Sequence, residues 1–213
     1  MVMTIRLDFV RGRDVKRSRA AATQFFGGRV CLDFANTLDW RTSDDPQELI
    51  PDYAALLSWS ERRGTLPLAA TRKLKARSAS NEAAAAMLQA YDLRRDIWTI
   101  SDALRGGRGA DLRLVNQLLS TAPRQPDLVR QDRAYRHAFA GRDVSEPLWP
   151  VLWSLTALLA SDDARRIGCC EADGCGWFFV DESPNRTRRW CSSEVCGNRE
   201  RARRAYAKRR GSR

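Results

Sequence analysis

The chain has 213 residues, 43% of them hydrophobic and 30% charged, which is enough for one ordinary domain and a small appended module. Its formal net charge of +11 is concentrated at the end, because residues 186–213 hold 11 basic and 2 acidic side chains. Its apolar runs are too short to cross a bilayer, and its basic start lacks the apolar stretch of an export signal. We therefore expect a cytoplasmic, nucleoid-associated protein with a polyanionic partner such as nucleic acid and without a membrane partner.

The first two segments of the chain differ in apolar content. Residues 1–23 hold few large apolar side chains and show no sustained period, so we expect a disordered basic extension there. Residues 24–163 are predicted to form a mostly helical domain with minor β structure. Apolar residues at helical spacing predict helices over residues 51–64, 80–106 and 111–119, and another that begins at residue 145. Residues 128–140 lack a helical stripe and are predicted to form a short strand pair.

A cysteine cluster dominates residues 164–213. Two pairs with equal spacing, Cys170-x4-Cys175 and Cys191-x4-Cys196, are separated by 15 residues, a pattern typical of a tetrahedral site for one structural Zn²⁺. We predict a small finger of the treble-clef or zinc-ribbon kind that ends in a basic helix. Buried free thiols or an iron–sulfur cluster are the alternatives. Cys169 is either a passive neighbour or a spare thiol, and Cys31 is expected in the core.

Good helix formers after the last cysteine predict the basic helix over residues 198–210, with Asn198 as its cap. Its narrow apolar stripe of Ala202, Ala205 and Tyr206 is expected to dock on the zinc core and to leave two cationic faces outward. The alternative is a solvated charged tail. The predicted nucleic-acid contacts are Arg186, Arg188, Arg189, Arg199, Arg201, Arg203, Arg204, Lys208, Arg209 and Arg210.

Two stretches of sequence resemble known families. The C-terminal segment, with its cysteine pairs and the run Cys196-Gly197-Asn198-Arg199, resembles the CGNR zinc finger. The preceding region resembles the ABATE domain through the runs Gly27-Gly28-Arg29-Val30-Cys31-Leu32-Asp33-Phe34-Ala35-Asn36-Thr37 and Leu49-Ile50-Pro51-Asp52-Tyr53. The resemblance implies a bacterial, stress-linked transcription regulator in which the finger binds DNA and the helical domain is a sensor or interaction domain. Arg199 is expected to contact phosphate or to pair with a finger carboxylate such as Asp181.

A group of polar residues near the start of the body predicts a second kind of site. Asp33, Asn36, Thr37 and Trp40 are candidates to line a pocket for a small-molecule effector, although helix capping and core hydrogen bonds explain them equally well. The single histidine, His137, and the lack of a phosphate-binding glycine loop argue against an enzyme, and we assign no catalytic residue. The leading hypothesis is therefore a zinc-dependent regulator that binds double-stranded DNA. RNA binding and thiol-based redox sensing through the cysteine cluster are the alternatives.

Overall fold

The computed structural model describes residues 24–122, 128–131 and 134–211, so the predicted basic extension lies outside the described residues. The described fold is mostly helical with minor strands, as predicted. Its α-helices are α1 (Val30–Ala35), α2 (Tyr53–Arg63), α3 (Leu68–Lys75), α4 (Asn81–Arg105), α5 (Arg113–Thr121), α6 (Trp149–Leu159) and α7 (Asn198–Gly211). Its strands are β1 (Leu38–Asp39), β2 (Gln47–Glu48), β3 (Leu128–Gln131), β4 (Ala134–His137), β5 (Ile167–Cys169) and β6 (Phe178–Val180).

The ends of the predicted helices follow the capping residues. Asp52 accepts a hydrogen bond from the backbone N–H of α2, and Gly64 ends this helix in the left-handed conformation. Ser80 caps α4 in the same way, and α4 runs to Arg105 just before Gly106. The helix expected from residue 145 begins at Trp149 instead, because residues 144–148 form a turn. Helix α3 was not predicted, since Pro67 precedes it without a side-chain cap.

The strands form three short antiparallel pairs. Strands β3 and β4 pair with Leu128 opposite His137, which confirms the strand pair predicted over residues 128–140. Strand β1 pairs with β2, and β5 pairs with β6 in a register that places Ile167 opposite Val180. Among the helices of the described residues, none has both the length and the apolar character that a membrane crossing requires.

The core of the body is arranged around α1. Four apolar residues of this helix are buried, including Leu32 and Phe34, and α1 packs between α6 and α4. Cys31 lies in this core, as predicted, and its backbone N–H donates to the Ser154 hydroxyl at 3.1 Å. Burial raises the pKa of the Cys31 thiol to about 12, which makes this cysteine an inert core residue.

The hairpin of the cysteine-rich segment completes the same core. The side-chain amide of Asn36, at the end of α1, donates to the Phe178 carbonyl and accepts from the Phe178 N–H, both at 2.8 Å. Phe178 and Val180 pack in the apolar core of the body, and the Val180 N–H donates to the Gly27 carbonyl at 3.0 Å. The segment after residue 163 is therefore built into the helical domain by main-chain contacts and by burial.

Candidate metal centre

Four cysteine sulfurs meet at one point of the finger. The Sγ atoms of Cys170, Cys175, Cys191 and Cys196 all lie within 4.8 Å of one another, and all four residues are buried. The sulfur–sulfur distances are 3.5 Å for Cys191 and Cys196, 3.7 Å for Cys175 and Cys196, and 3.9 Å for Cys175 and Cys191. A regular tetrahedron with zinc–sulfur bonds of about 2.3 Å has edges of about 3.8 Å. The predicted ligands therefore form one zinc site with the geometry that this metal prefers.

The first cysteine pair is positioned by a loop that packs on the body. Cys170 follows directly after β5, and Gly176 has a φ of 65°. A Cβ atom at Gly176 would lie 2.5 Å from the Cγ2 atom of Thr42, so only glycine fits this close approach. The Arg41 N–H donates to the Cys175 carbonyl at 3.2 Å. This knuckle is therefore fixed from outside the finger, by the segment that follows β1.

The second cysteine pair is positioned by a helical turn. Ser192 caps the wide turn Ser193–Gly197 by accepting a hydrogen bond from the Val195 N–H at 3.2 Å. The expectation that Asn198 caps the basic helix is wrong, because its side-chain amide instead donates to the Glu194 carbonyl at 2.7 Å. The cap lies one turn earlier because the turn that carries Cys196 runs directly into α7.

Cys169 lies beside the metal centre but outside the four-sulfur cluster. Its Sγ atom is 3.9 Å from the Nη2 atom of Arg41. Burial raises the pKa of the Cys169 thiol in spite of the opposing positive charges of Arg105 and Arg41. Burial therefore outweighs the neighbouring arginines at Cys169, and the redox-sensor alternative, which concerns the whole cysteine cluster, stays a prediction.

The first turn of α7 contacts the body and the first knuckle. The Arg199 guanidinium stacks on the Trp40 ring at 4.2 Å and donates to the Asp173 carbonyl at 3.3 Å. The suggested pairing of Arg199 with Asp181 is wrong, because the Asp181 carboxylate accepts from Ser183 and from the Arg188 backbone N–H. Arg199 thus joins the basic helix to Trp40. Trp40 follows directly after β1 and has a φ of 54°.

The rest of α7 extends away from the finger. Every residue from Arg201 to Arg210 is exposed, including the predicted apolar stripe of Ala202, Ala205 and Tyr206. The expectation that this stripe docks on the zinc core is therefore wrong. Glu200, two residues before the stripe, is buried instead, with 3% of its surface exposed. The exposed helix presents cationic side chains on a scaffold that the metal anchors at one end.

The arginines of α7 differ in their partners. Arg203 is paired with Glu200 at 3.0 Å and with Asp173 at 3.4 Å. Arg201 donates to the Asn198 side chain at 2.5 Å. Arg204 forms no hydrogen bond or ion pair with any part of the chain that the structure describes. Lys208, Arg209 and Arg210 are also exposed, and Arg210 lies 5.8 Å from the ring of Tyr206.

Arg188 differs from the other predicted nucleic-acid contacts because its guanidinium is enclosed by backbone carbonyls. It donates to Val180 at 3.2 Å, to Trp190 at 3.1 Å, to Phe26 at 3.0 Å and to Cys191 at 2.5 Å, and it stacks on the ring of Phe179 at 4.1 Å. The structure therefore gives Arg188 a place inside the finger, where four of its hydrogen bonds go to backbone carbonyls. Arg186 and Arg189 are exposed, and Arg189 is paired with Glu171 at 2.6 Å.

The polar residues expected to line an effector pocket are held by other contacts. The buried Asp33 carboxylate accepts from the Gly27 N–H at 2.8 Å and from Arg63 at 2.7 Å, and Thr37 accepts from Arg94 at 2.9 Å. Burial raises the pKa of Asp33.

The Asn36 side chain is hydrogen-bonded to the backbone of β6, and Trp40 stacks on Arg199. The cavity beside Asp33, Asn36 and Thr37 measures about 10 Å³, room for a single water molecule. The expectation of an effector pocket at these residues is therefore wrong, because their polar groups serve the core and the junction with the finger.

A mostly helical body joined to a four-cysteine zinc site through the β5–β6 hairpin defines the class of this chain as a zinc-finger protein. The sequence model of the ABATE family, described as "putative stress-induced transcription regulator", matches residues 28–162. The model of the CGNR zinc finger matches residues 166–209. The chain therefore belongs to the ABATE family and carries a CGNR zinc finger, which confirms both resemblances. A search of the curated proteins finds no match.

Proposed function

We propose that this protein is a zinc-dependent transcription regulator that binds double-stranded DNA through α7. The observation that carries the proposal is an exposed arginine-rich helix whose first turn is anchored on a four-cysteine zinc site. Zinc sites of this kind supply the free energy that small fingers need to fold. The metal therefore acts structurally here, by holding the base of α7 on the body, and the proposal assigns no catalytic activity.

Two arginines of α7, Arg199 and Arg203, are directed toward the body and the first knuckle, and they lie on one face of the helix. Residues 201, 204 and 208 lie on a common face, since side chains three and four positions apart are neighbours on a helix. The opposite face begins with Arg199 and Arg203, whose charges are directed toward Trp40, Asp173 and Glu200. We therefore assign the phosphate contacts to the face of Arg201, Arg204 and Lys208. The exposed Arg186, Arg189, Arg209 and Arg210 are secondary candidates.

The shape of α7 favours DNA over RNA as the partner. A helix of 14 residues is about 21 Å long and fits the major groove of B-form DNA, which is about 12 Å wide. The major groove of A-form RNA is too deep and narrow for side chains to reach the bases. A DNA-binding regulator acts where the DNA is, which supports the expected location at the nucleoid.

The test is a fluorescence-anisotropy titration of a labelled duplex with zinc-loaded protein at several salt concentrations. If α7 and its flanking arginines neutralise about five phosphates, the logarithm of the binding constant falls with the logarithm of salt at a slope of about −4.5. Removal of zinc with a chelator is expected to abolish this binding, and a double-stranded RNA of the same sequence should compete poorly. Binding that persists unchanged without zinc would contradict the proposal.

A further inference from the structure

A cleft among the described residues lies in the helical body, away from the finger. It is a cleft of about 670 Å³ between the N-terminal end of α1, the turn that joins α2 to α3, the β3–β4 hairpin with the residues that follow it, and α6. This volume falls within the range of typical small-molecule sites, which is about 300–1,000 Å³. No residue of α7 or of the cysteine cluster lines the cleft. It is therefore separate from the surface that we assign to DNA.

Aromatic side chains form a continuous wall of this cleft. The rings of Phe139 and Trp153 are stacked with an interplanar angle of 18° and a centroid separation of 5.9 Å. His137 lies 5.7 Å from Trp153 and 6.3 Å from Phe139, and Tyr135 stands at the edge with 71% of its surface exposed. Such a wall offers stacking and edge-to-face contacts to another planar ring.

The cleft offers little charge or free polarity to a ligand. Its lining holds no Asp, Glu, Lys or Arg among the described residues. The Thr65 hydroxyl donates to the Ser60 carbonyl at 3.1 Å, and the Ser154 hydroxyl accepts from the Cys31 N–H at 3.1 Å. A charged ligand would lose hydration in this cleft and would find no Asp, Glu, Lys or Arg partner among the described lining residues, which makes its binding unfavourable. An uncharged ligand has no such cost.

We propose that this cleft is a binding site for an uncharged aromatic small molecule. The volume sets the size of the ligand, and the stacked wall favours a planar ring. The described lining residues supply no Asp, Glu, Lys or Arg that would favour a charged ligand. The site goes beyond the DNA-binding function and does not depend on it. It also differs from the pocket that the sequence predicted at Asp33, because its lining comes from four segments that are distant along the chain.

The test uses two dyes that share one aromatic skeleton and differ by a charge. N-phenyl-1-naphthylamine is neutral, and 8-anilino-1-naphthalenesulfonate carries an added sulfonate. We expect the zinc-loaded full chain to raise the emission of the neutral dye with saturation near one dye per chain, unaffected by salt. The sulfonate dye is attracted by the net charge of +11 and is expected to bind in a way that salt screens.

Two variants locate the neutral dye in the cleft. Tyr135→Ala removes a ring at the edge and is expected to weaken binding about fivefold. Val129→Asp introduces a carboxylate at a lining position that is 45% exposed, and it should weaken binding at least about tenfold. Both positions are exposed enough that folding is preserved, which a thermal melt checks. Tyr206→Ala is the matched control, because this tyrosine is 63% exposed on α7 and lies outside the cleft.

The outcomes separate the proposal from its failure. Saturable binding of the neutral dye that Tyr135→Ala and Val129→Asp weaken, and that Tyr206→Ala leaves unchanged, supports the site. Absence of saturable binding, or equal binding to the wild type and to both cleft variants, overturns it. The dye titration contains no DNA, so its result is independent of the proposal for α7.

Discussion

Arg188 and Arg204 belong to the same zinc finger, yet their surroundings are opposite. The Arg188 guanidinium is enclosed by four backbone carbonyls and the ring of Phe179. Arg204 stands in solvent on the exposed part of α7 and contacts no other described residue. In the root of the finger, which we define as residues 166–200, Arg188, Arg189 and Arg199 are engaged in contacts within the protein. In the tip, residues 201–211, every side chain from Arg201 to Arg210 is exposed, and Arg204 has no hydrogen-bond or ion-pair partner among the described residues.

The contrast follows from where each arginine lies relative to the metal. Arg188 lies between the two cysteine pairs, where the chain turns back. Backbone carbonyls in this irregular stretch need hydrogen-bond donors, and Arg188 supplies them. Arg204 follows the last ligand, where a regular helix satisfies its own backbone. The net charge of +11 therefore overstates the positive charge that is available for DNA, because the charge of Arg188 is held inside the finger.

The largest expected effect is loss of the metal from the root. Cys175→Ser removes one of four ligands from a buried cluster and should reduce the bound zinc from one ion per chain to none. Structural zinc sites contribute about 10–16 kcal/mol at neutral pH, more than the stability of many whole domains. We therefore expect the finger to unfold, as measured by zinc content and by near-ultraviolet circular dichroism of its tryptophans.

Cys169→Ser is the matched control for this experiment. The neighbouring thiol lies outside the four-sulfur cluster, so this variant should keep its zinc and its spectrum. Zinc retained by Cys175→Ser, or lost from Cys169→Ser, would show that the ligand set is wrong.

The next effect in size tests the structural role of a root arginine. Arg188→Ala leaves four carbonyls without their donor, including the Phe26 carbonyl of the body. We expect the free energy of unfolding of the zinc-loaded protein to fall by about 3 kcal/mol, as measured by denaturant titration. Arg189→Ala should change it by less than about 1 kcal/mol, because its ion pair with Glu171 is exposed. Equal destabilisation by both variants would remove the distinction between an enclosed and an exposed arginine of the root.

Local sequence patterns were sufficient to predict part of this structure. The four zinc ligands follow from two equal cysteine spacings, and α4 follows from a capping serine, helical periodicity and a pair of glycines at its end. These features depend on residues that are close together along the chain, where spacing alone limits the geometry.

The contacts that join the finger to the body could not be predicted in this way. Asn36 and Phe178 lie 142 positions apart, and the pairing of Arg199 with Trp40 depends on how α7 leaves the metal centre. The aromatic cleft has the same origin, since His137 and Trp153 meet only when the hairpin packs on α6. Polar residues such as Asn36 gave a signal in the sequence, but their spacing did not distinguish a junction from a pocket.

The most direct test of the proposed DNA contact compares two adjacent arginines of the finger. Arg204→Gln and Arg203→Gln remove the same charge from neighbouring positions of α7, but only Arg203 is paired, with Glu200 and Asp173. At about 0.1 M salt we expect Arg204→Gln to lower the affinity for duplex DNA about fivefold to tenfold and to reduce the salt slope by about 1, with a clearly smaller effect of Arg203→Gln. Affinity and slope that remain at the wild-type values in Arg204→Gln, or that fall more in Arg203→Gln, would contradict the assignment of this face to DNA.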